Sequence, residues 1–120
     1  MGDRAHEVWV WPDELDALAA APDSHTLLLE NDATRVLDTR IAPGETAKLH
    51  THRWPSVLYV LSLGHFVRRD GDGTVVLDSR DGGAVPPPGS ALWSPALPPH
   101  TLENVDTIEI HIISVELKHA

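Results

Sequence analysis

The chain has 120 residues, enough for one domain with a substantial core and too few for two. Acidic residues outnumber basic ones 18 to 9, which gives a formal charge of −9 and argues against binding to nucleic acid or anionic membranes. The absence of cysteine excludes disulfides, thiolate metal ligands and a cysteine nucleophile. No signal-like or membrane-spanning apolar run is present, so we expect a cytoplasmic globular protein.

A short N-terminal helix is predicted from Pro12 to Ala20. Proline and the acidic residues that follow it suit a first helical turn, and Leu15 and Leu18 supply an apolar stripe. The Pro22-Asp23-Ser24 sequence then ends the helix.

The rest of the chain is predicted to be all-β, because short β-rich runs alternate with glycine, proline and Asp/Asn turns. Their spacing is typical of a sandwich or barrel. The predicted strands are His25 to Glu30, Thr34 to Ile41, Ala47 to His52, Ser56 to Leu63, His65 to Arg69, Thr74 to Asp78, Ser90 to Ser94 and Thr107 to Leu117.

A His-x-His pair lies on the third predicted strand, at His50 and His52. Side chains in a strand alternate with period two, so both imidazoles point to the same face. Neutral imidazole binds zinc, iron, nickel and copper, and such a pair needs only one or two further donors. With eight histidines in the chain, the spacing alone is weak evidence.

Two longer spacing patterns surround the candidate ligands. In the first, Gly44 is followed by five residues, His50-Thr51-His52, four residues, Val57, six residues and Gly64. In the second, Gly89 is followed by five residues, Pro95-Ala96-Leu97, two prolines, His100, three residues and Asn104.

These patterns resemble the two motifs of the cupin family. The first cupin motif is Gly, five residues, His-x-His, three or four residues, Glu, six residues, Gly; the second is Gly, five residues, Pro-x-Gly, two residues, His, three residues, Asn. The resemblance implies a cupin-type double-stranded β-helix, an RmlC-like jelly-roll barrel, preceded by a short N-terminal helix. We therefore expect one domain over residues 1–120, with the barrel at about 26–117 and an arm and helix at 1–25.

The resemblance also implies one divalent transition metal held by His50, His52 and His100. Two positions depart from the motifs: Val57 stands in place of the metal-binding Glu, and Leu97 replaces a turn glycine. Valine cannot bind a metal, so the expected site has three histidine ligands. Iron(II) is the first choice, with nickel, zinc or manganese as alternatives; a degenerate cupin that keeps the histidines without a metal is a further alternative.

The short cupins most similar to this chain include ones assigned to β-alanine degradation. By analogy with three-histidine cupins, the predicted activity is Fe(II)-type dioxygenation of a small organic acid or diketone-like molecule. The alternatives are a metal-dependent lyase or isomerase and a non-catalytic binding or sensor domain. Tyr59 is the candidate catalytic residue, because its phenol enters the barrel if Val57 does; a tyrosine of the core is the competing interpretation.

The expected partners are a small-molecule substrate and a second copy of the chain. Small cupins frequently form dimers, and the first strand and Trp9-Val10-Trp11 offer apolar surface for a homodimer. Neither nucleic acid nor a membrane is expected as a partner.

Overall fold

A computed structural model describes residues 8–120 and contains two antiparallel sheets. Within these residues the strands are β1 (His25–Glu30), β2 (Thr34–Ile41), β3 (Thr46–His52), β4 (Ser56–Ser62), β5 (Phe66–Asp70), β6 (Val75–Asp78), β7 (Ala91–Ser94), β8 (Leu97–Asn104) and β9 (Ile110–Leu117). One sheet has the order β1-β2-β9-β4-β7 and the other β3-β8-β5-β6. The prediction of an all-β double-stranded β-helix is confirmed.

The predicted N-terminal helix is shorter than expected and is interrupted. A 3-10 turn covers Asp13–Leu15, and the helix α1 covers only Ala17–Ala20. The break falls at Asp16, whose ψ of 146° is extended and whose carboxylate accepts a hydrogen bond from the backbone N–H of Leu18. Asp16 thus acts as an N-cap, which sequence periodicity alone does not indicate.

Strand β8 was not predicted, because Pro98 and Pro99 lie within it and proline cannot donate to a sheet ladder. Pairing with β5 begins only at His100, which lies opposite Asp70, and pairing with β3 is irregular between His50 and His52. The two prolines therefore lie in the part of β8 that does not pair with β5 and pairs only irregularly with β3, so their missing N–H groups cost no regular ladder hydrogen bond.

Glycine and asparagine positions of the two motifs have structural roles. Gly44 and Gly89, which open the motifs, have φ of +82° and +89°, a region that favours glycine. A Cβ at Gly64 would lie 2.6 Å from the side chain of Asp106. The amide of the buried Asn104 donates to the carbonyl of Ile41. These motif positions are therefore explained by turns and close packing rather than by ligand binding.

The barrel has an apolar end and a polar end. Strands β2 and β9 pair from Ile41 opposite Ile110 to Arg35 opposite Glu116, and all four residues are buried. The isoleucines belong to the hydrophobic core cluster, whereas the charged pair lies at the other end of the two strands. No helix within residues 8–120 is long and apolar enough to cross a membrane.

Candidate metal centre

Four histidine side chains converge inside the barrel. His50 and His52 of β3 lie beside His25, the first residue of β1, and the ligand atoms of these three residues are within 4.8 Å of one another. His100 of β8 lies opposite His50, and the two ring centroids are 4.3 Å apart. The structure thus places the rings of all three predicted ligands near one another, but the group of ligand atoms within 4.8 Å consists of His25, His50 and His52, and His100 lies beside it.

Each of the four rings uses its Nδ1 atom to contact an oxygen of the protein. The contacts are His25 with the carbonyl of Ala21 at 3.0 Å, His50 with that of Lys48 at 2.6 Å, His100 with that of Pro98 at 2.8 Å, and His52 with the Glu116 carboxylate at 3.1 Å. Since these oxygens are acceptors, each Nδ1 carries the hydrogen and donates it. Nε2 of each ring then keeps a free lone pair that can bind a metal, as in metal-binding histidines.

The free nitrogens of the β3 pair face each other. Nε2 of His50 lies 3.2 Å from Nε2 of His52. Two lone pairs at this separation repel unless a proton or a cation lies between them. Two imidazole nitrogens bound at 2.0–2.1 Å to one tetrahedral or octahedral metal lie ~2.9–3.4 Å apart. The spacing and chemistry of the donor atoms therefore fit a divalent transition metal.

Burial keeps most of the cluster in the neutral form that binds metals. Loss of hydration lowers the pKa of His25 to about 4, that of His50 to about 2 and that of His100 to about 4, and the neighbouring histidines add to the effect. At neutral pH these rings need not lose a proton before they bind a metal.

A network of hydrogen-bonded charged side chains holds His52 in position. The Glu116 carboxylate that accepts from His52 Nδ1 also accepts from Arg35 Nε at 2.5 Å, and the Arg35 guanidinium donates to both oxygens of Asp16. Glu116 and Arg35 are 0% and 5% exposed. Although burial raises the pKa of a carboxyl, the hydrogen bonds from His52 and Arg35 hold the pKa of Glu116 below its usual value. An ionised Glu116 orients His52 and strengthens it as a metal ligand.

The position of the missing family ligand differs from the sequence-based expectation. The motif allows three or four residues after His52, and the position that lines the pocket is Ser56, not Val57. Ser56 is 6% exposed and lies opposite Glu116 on β9. Ser56 and Leu58, rather than Val57 and Tyr59, are therefore the residues of β4 that point into the barrel. The hydroxyl of Ser56 lies where the carboxylate of the family motif was expected.

The same alternation of side chains along β4 places Tyr59 outside the site. The tyrosine is 45% exposed and lies on the face of β4 opposite to Ser56 and Leu58, which line the pocket. Its expected entry into the barrel together with Val57 is therefore wrong, because residues 57 and 59 both point outward. The structure gives no geometric support for Tyr59 as an acid or base at the histidine cluster.

Sequence reasoning missed His25, Arg35 and Glu116. Alternation along β9 from Ile110 and Ile112 leads inward to Glu116, and alternation along β2 from Ile41 leads inward to Arg35, so period-two counting could have found both. No comparable signal identifies His25, since its place beside β3 depends on how the two sheets pack.

The histidines lie in the wall of a cavity of about 310 Å³. This size is at the lower end of the ~300–1,000 Å³ found for small-molecule pockets. Apolar side chains from both sheets form most of the remaining wall; they are Ile41, Ala47, Leu58, Leu63, Phe66, Leu77, Leu92, Leu97, Leu102 and Ile112. Leu77 and Trp93, which are also among the lining residues, are 40% and 59% exposed.

The two sheets and the pocket between them define a small single-domain protein of the cupin fold with a candidate metal centre. Among solved structures, the chain is similar to a cupin domain from Bordetella pertussis Tohama I, with 20% identity, 78% of this chain and 91% of the other covered, and a TM-score of 0.63. It is also similar to a conserved double-stranded β-helix protein from Klebsiella pneumoniae, with 18% identity, 92% and 90% coverage, and a TM-score of 0.55.

A third similar structure is that of the polyketide cyclase RemF from Streptomyces resistomycificus, with 20% identity, 78% of this chain and 63% of the other covered, and a TM-score of 0.51. No family model and no curated protein matches the sequence. At these identities the comparisons establish the fold and leave the predicted link to β-alanine degradation without a test.

Proposed function

We propose that the protein is a mononuclear metal-dependent enzyme of the Fe(II) dioxygenase type, acting on a small organic acid or diketone-like molecule. The observation that carries the metal is the convergence of Nε2 atoms, with those of His50 and His52 3.2 Å apart and every Nδ1 in the cluster already engaged. His50 and His52 would hold the metal together with His25, whose ligand atom lies within 4.8 Å of theirs. His100, the third ligand of the motifs, would add a further nitrogen from its ring beside His50.

A bound iron(II) would supply the electron transfer that reactions of O₂ with organic molecules require. Dioxygenation places both atoms of O₂ in the substrate, so the reaction consumes no external reductant. The chain's own contribution is to hold the nitrogens in place through Glu116 and three backbone carbonyls, and to exclude water with the apolar wall.

A lyase or isomerase is less well supported, because such a reaction needs a base beside the substrate. No Asp or Glu of the described residues 8–120 lines the pocket, and Tyr59 lies outside it. A non-catalytic binding or sensor domain is the second candidate, since the largely apolar wall is suited to holding a ligand without turnover. The similarity to a polyketide cyclase shows that the fold by itself does not select the reaction.

The test is metal content after purification without a histidine tag, followed by oxygen uptake with Fe(II) and a panel of small acids and diketones. We expect one metal per chain, its loss in the His50→Gln/His52→Gln variant, and oxygen uptake with at least one panel member. Absence of metal together with no gain in melting temperature from Fe(II), Ni(II), Zn(II) or Mn(II) would refute metal dependence. Metal binding without turnover would favour the binding domain.

A further inference from the structure

Among residues 8–120, Arg68 is the one charged side chain other than histidine that lines the cavity. Arg68 and Phe66 lie on the same face of β5, and both line the cavity. Across the sheet, Arg68 lies opposite Leu77 on β6 and Leu102 on β8, which also line the cavity. The side chain of Arg68 is therefore flanked by apolar residues on both neighbouring strands, and its positive charge contributes to the lowered pKa of His100.

Arg68 has no ionic partner within the part of the chain that the structure describes. None of the side-chain hydrogen bonds or salt bridges among residues 8–120 involves its guanidinium, and none of these residues places a carboxylate in the lining of the cavity. Burial, with no opposing attraction, lowers the pKa of its guanidinium, although arginine stays charged at neutral pH. The neighbouring Arg69, by contrast, points to the other face of the strand and donates to Glu103 at 2.8 Å.

A partly buried, unpaired cation costs free energy unless a ligand supplies the opposite charge. Arginine binds planar carboxylates through two parallel hydrogen bonds. The same cavity offers a long apolar wall that continues into the core cluster through Phe66, Leu92 and Leu102. One charged anchor and an apolar wall together select a ligand with one anionic group and a hydrocarbon portion.

We propose that the pocket binds a small monocarboxylic acid, with its carboxylate on Arg68 and its hydrocarbon portion against the apolar wall. This inference rests on the proposed function and deepens it, because it names the substrate class of the same pocket. The cavity of about 310 Å³ restricts the ligand to a short chain or a single ring.

The experiment measures binding of the straight-chain acids from propionate to hexanoate by calorimetry, in metal-free protein and in protein loaded with redox-inert Zn(II). Hexanamide and hexylamine serve as neutral and cationic probes of the same length. We expect affinity to rise roughly fourfold per methylene that becomes buried, and hexanoate to bind at least tenfold more tightly than hexanamide in both forms.

Arg68→Gln should weaken hexanoate binding about 10- to 100-fold, the usual effect of losing hydrogen bonds to a charged group. Arg69→Gln is the matched control on the same strand and should change binding less than twofold. Arg68→Lys keeps the charge and tests the anion site if Arg68→Gln does not fold; it should retain the preference for hexanoate over hexanamide.

Equal binding of hexanoate and hexanamide to the wild type would overturn the inference without any variant. So would hexanoate binding that requires zinc and is unaffected by Arg68→Gln, since the carboxylate would then bind only the metal; the proposed function would survive that result. Hexanoate binding through Arg68 in a protein that binds no metal would support the carboxylate site and refute the metal-dependent function.

Discussion

The Nδ1 atom of His52 lies 3.1 Å from Oε2 of Glu116, a carboxylate that is completely buried. The other oxygen of this carboxylate accepts from Arg35, so Glu116 joins a histidine of the candidate metal centre to a buried cation. Carboxylate and histidine are held by different strands, β9 and β3. The orientation of His52 therefore depends on the packing of the two sheets against each other.

Replacement of Glu116 by glutamine should lower metal affinity by about 10- to 100-fold, the range found when a carboxylate behind a histidine ligand is removed. Glutamine keeps the size of the side chain but not its charge, so His52 becomes a weaker metal ligand. The measurement is competition for Zn(II) with a chromophoric chelator. The Glu109→Gln variant, changed on the outer side of the same strand region, should bind as the wild type does.

A purely structural role for Glu116 would give a different result. Its variant would then unfold at lower temperature, yet the fraction that remains folded would bind Zn(II) with wild-type affinity.

His25→Gln should reduce Zn(II) affinity by roughly tenfold, equal to about 1.4 kcal/mol. The reason is that His25 places its ligand atom within 4.8 Å of those of His50 and His52, whereas the family motifs do not include it. His65→Gln, changed outside the cluster at a ring that contacts Ser79, is the control. Unchanged affinity in His25→Gln would leave the centre with the three ligands of the motifs.

Stability of the metal-free protein should fall as the pH is lowered from 6.5 toward 4. Burial lowers the pKa of His25 and of His100 to about 4 in the folded protein, whereas both should titrate near 6.5 in the unfolded chain. Below pH 6.5 the two histidines bind protons in the unfolded chain but stay neutral in the folded protein. Their contribution to the free energy of unfolding is therefore complete above pH 6.5 and is lost as the pH falls below it.

Urea unfolding in the presence of EDTA at several pH values between 7.5 and 5 measures this dependence. His25→Gln should show a shallower slope because one of the titrating groups is gone. Constant stability across this range would contradict the neutral, buried state of the histidines.

Tyr59→Phe should leave metal affinity and any oxygen uptake unchanged and should alter the free energy of unfolding by less than about 0.5 kcal/mol. The tyrosine is 45% exposed on the outer face of β4, so its hydroxyl does not contact the histidine cluster. Comparison with His50→Gln under the same assay checks that the assay responds to the site. A large loss of turnover in Tyr59→Phe would restore the catalytic role that the sequence suggested.

We expect the protein to be a homodimer that uses the edge strand β1. Leu27, Leu28 and Leu29 are 44%, 54% and 52% exposed on this strand, and Val10 of the preceding segment is 72% exposed. Light scattering should give twice the mass of one 13.1 kDa chain. Leu28→Lys should shift the mass toward the monomer, whereas Val76→Lys on β6, an edge strand of the other sheet, should not. A monomeric wild type would refute the dimer.

The local pattern determined eight of the nine strands within residues 8–120, with all but one of their bounds within one residue, and the ligand pair of β3. Period-two alternation in β2 and turn-forming residues between strands act within a few residues, so they can be read directly from the order of amino acids. Gly44 and Gly89 likewise have a local role, since both adopt the positive φ that opens each motif. Gly64 and Asn104, which close the motifs, instead make contacts with Asp106 and Ile41 that are distant in sequence.

Only the tertiary structure decided which side chains share the cavity. The inward phase of β4 was fixed by its pairing with β7 and β9, which places Ser56 rather than Val57 inside. His25 and Glu116 are 27 and 64 residues from His52 along the chain, and packing of the sheets brings them to it. The three-histidine centre expected from two motifs thus becomes a four-histidine cluster with a buried carboxylate behind it, because contacts between distant strands are absent from any local pattern.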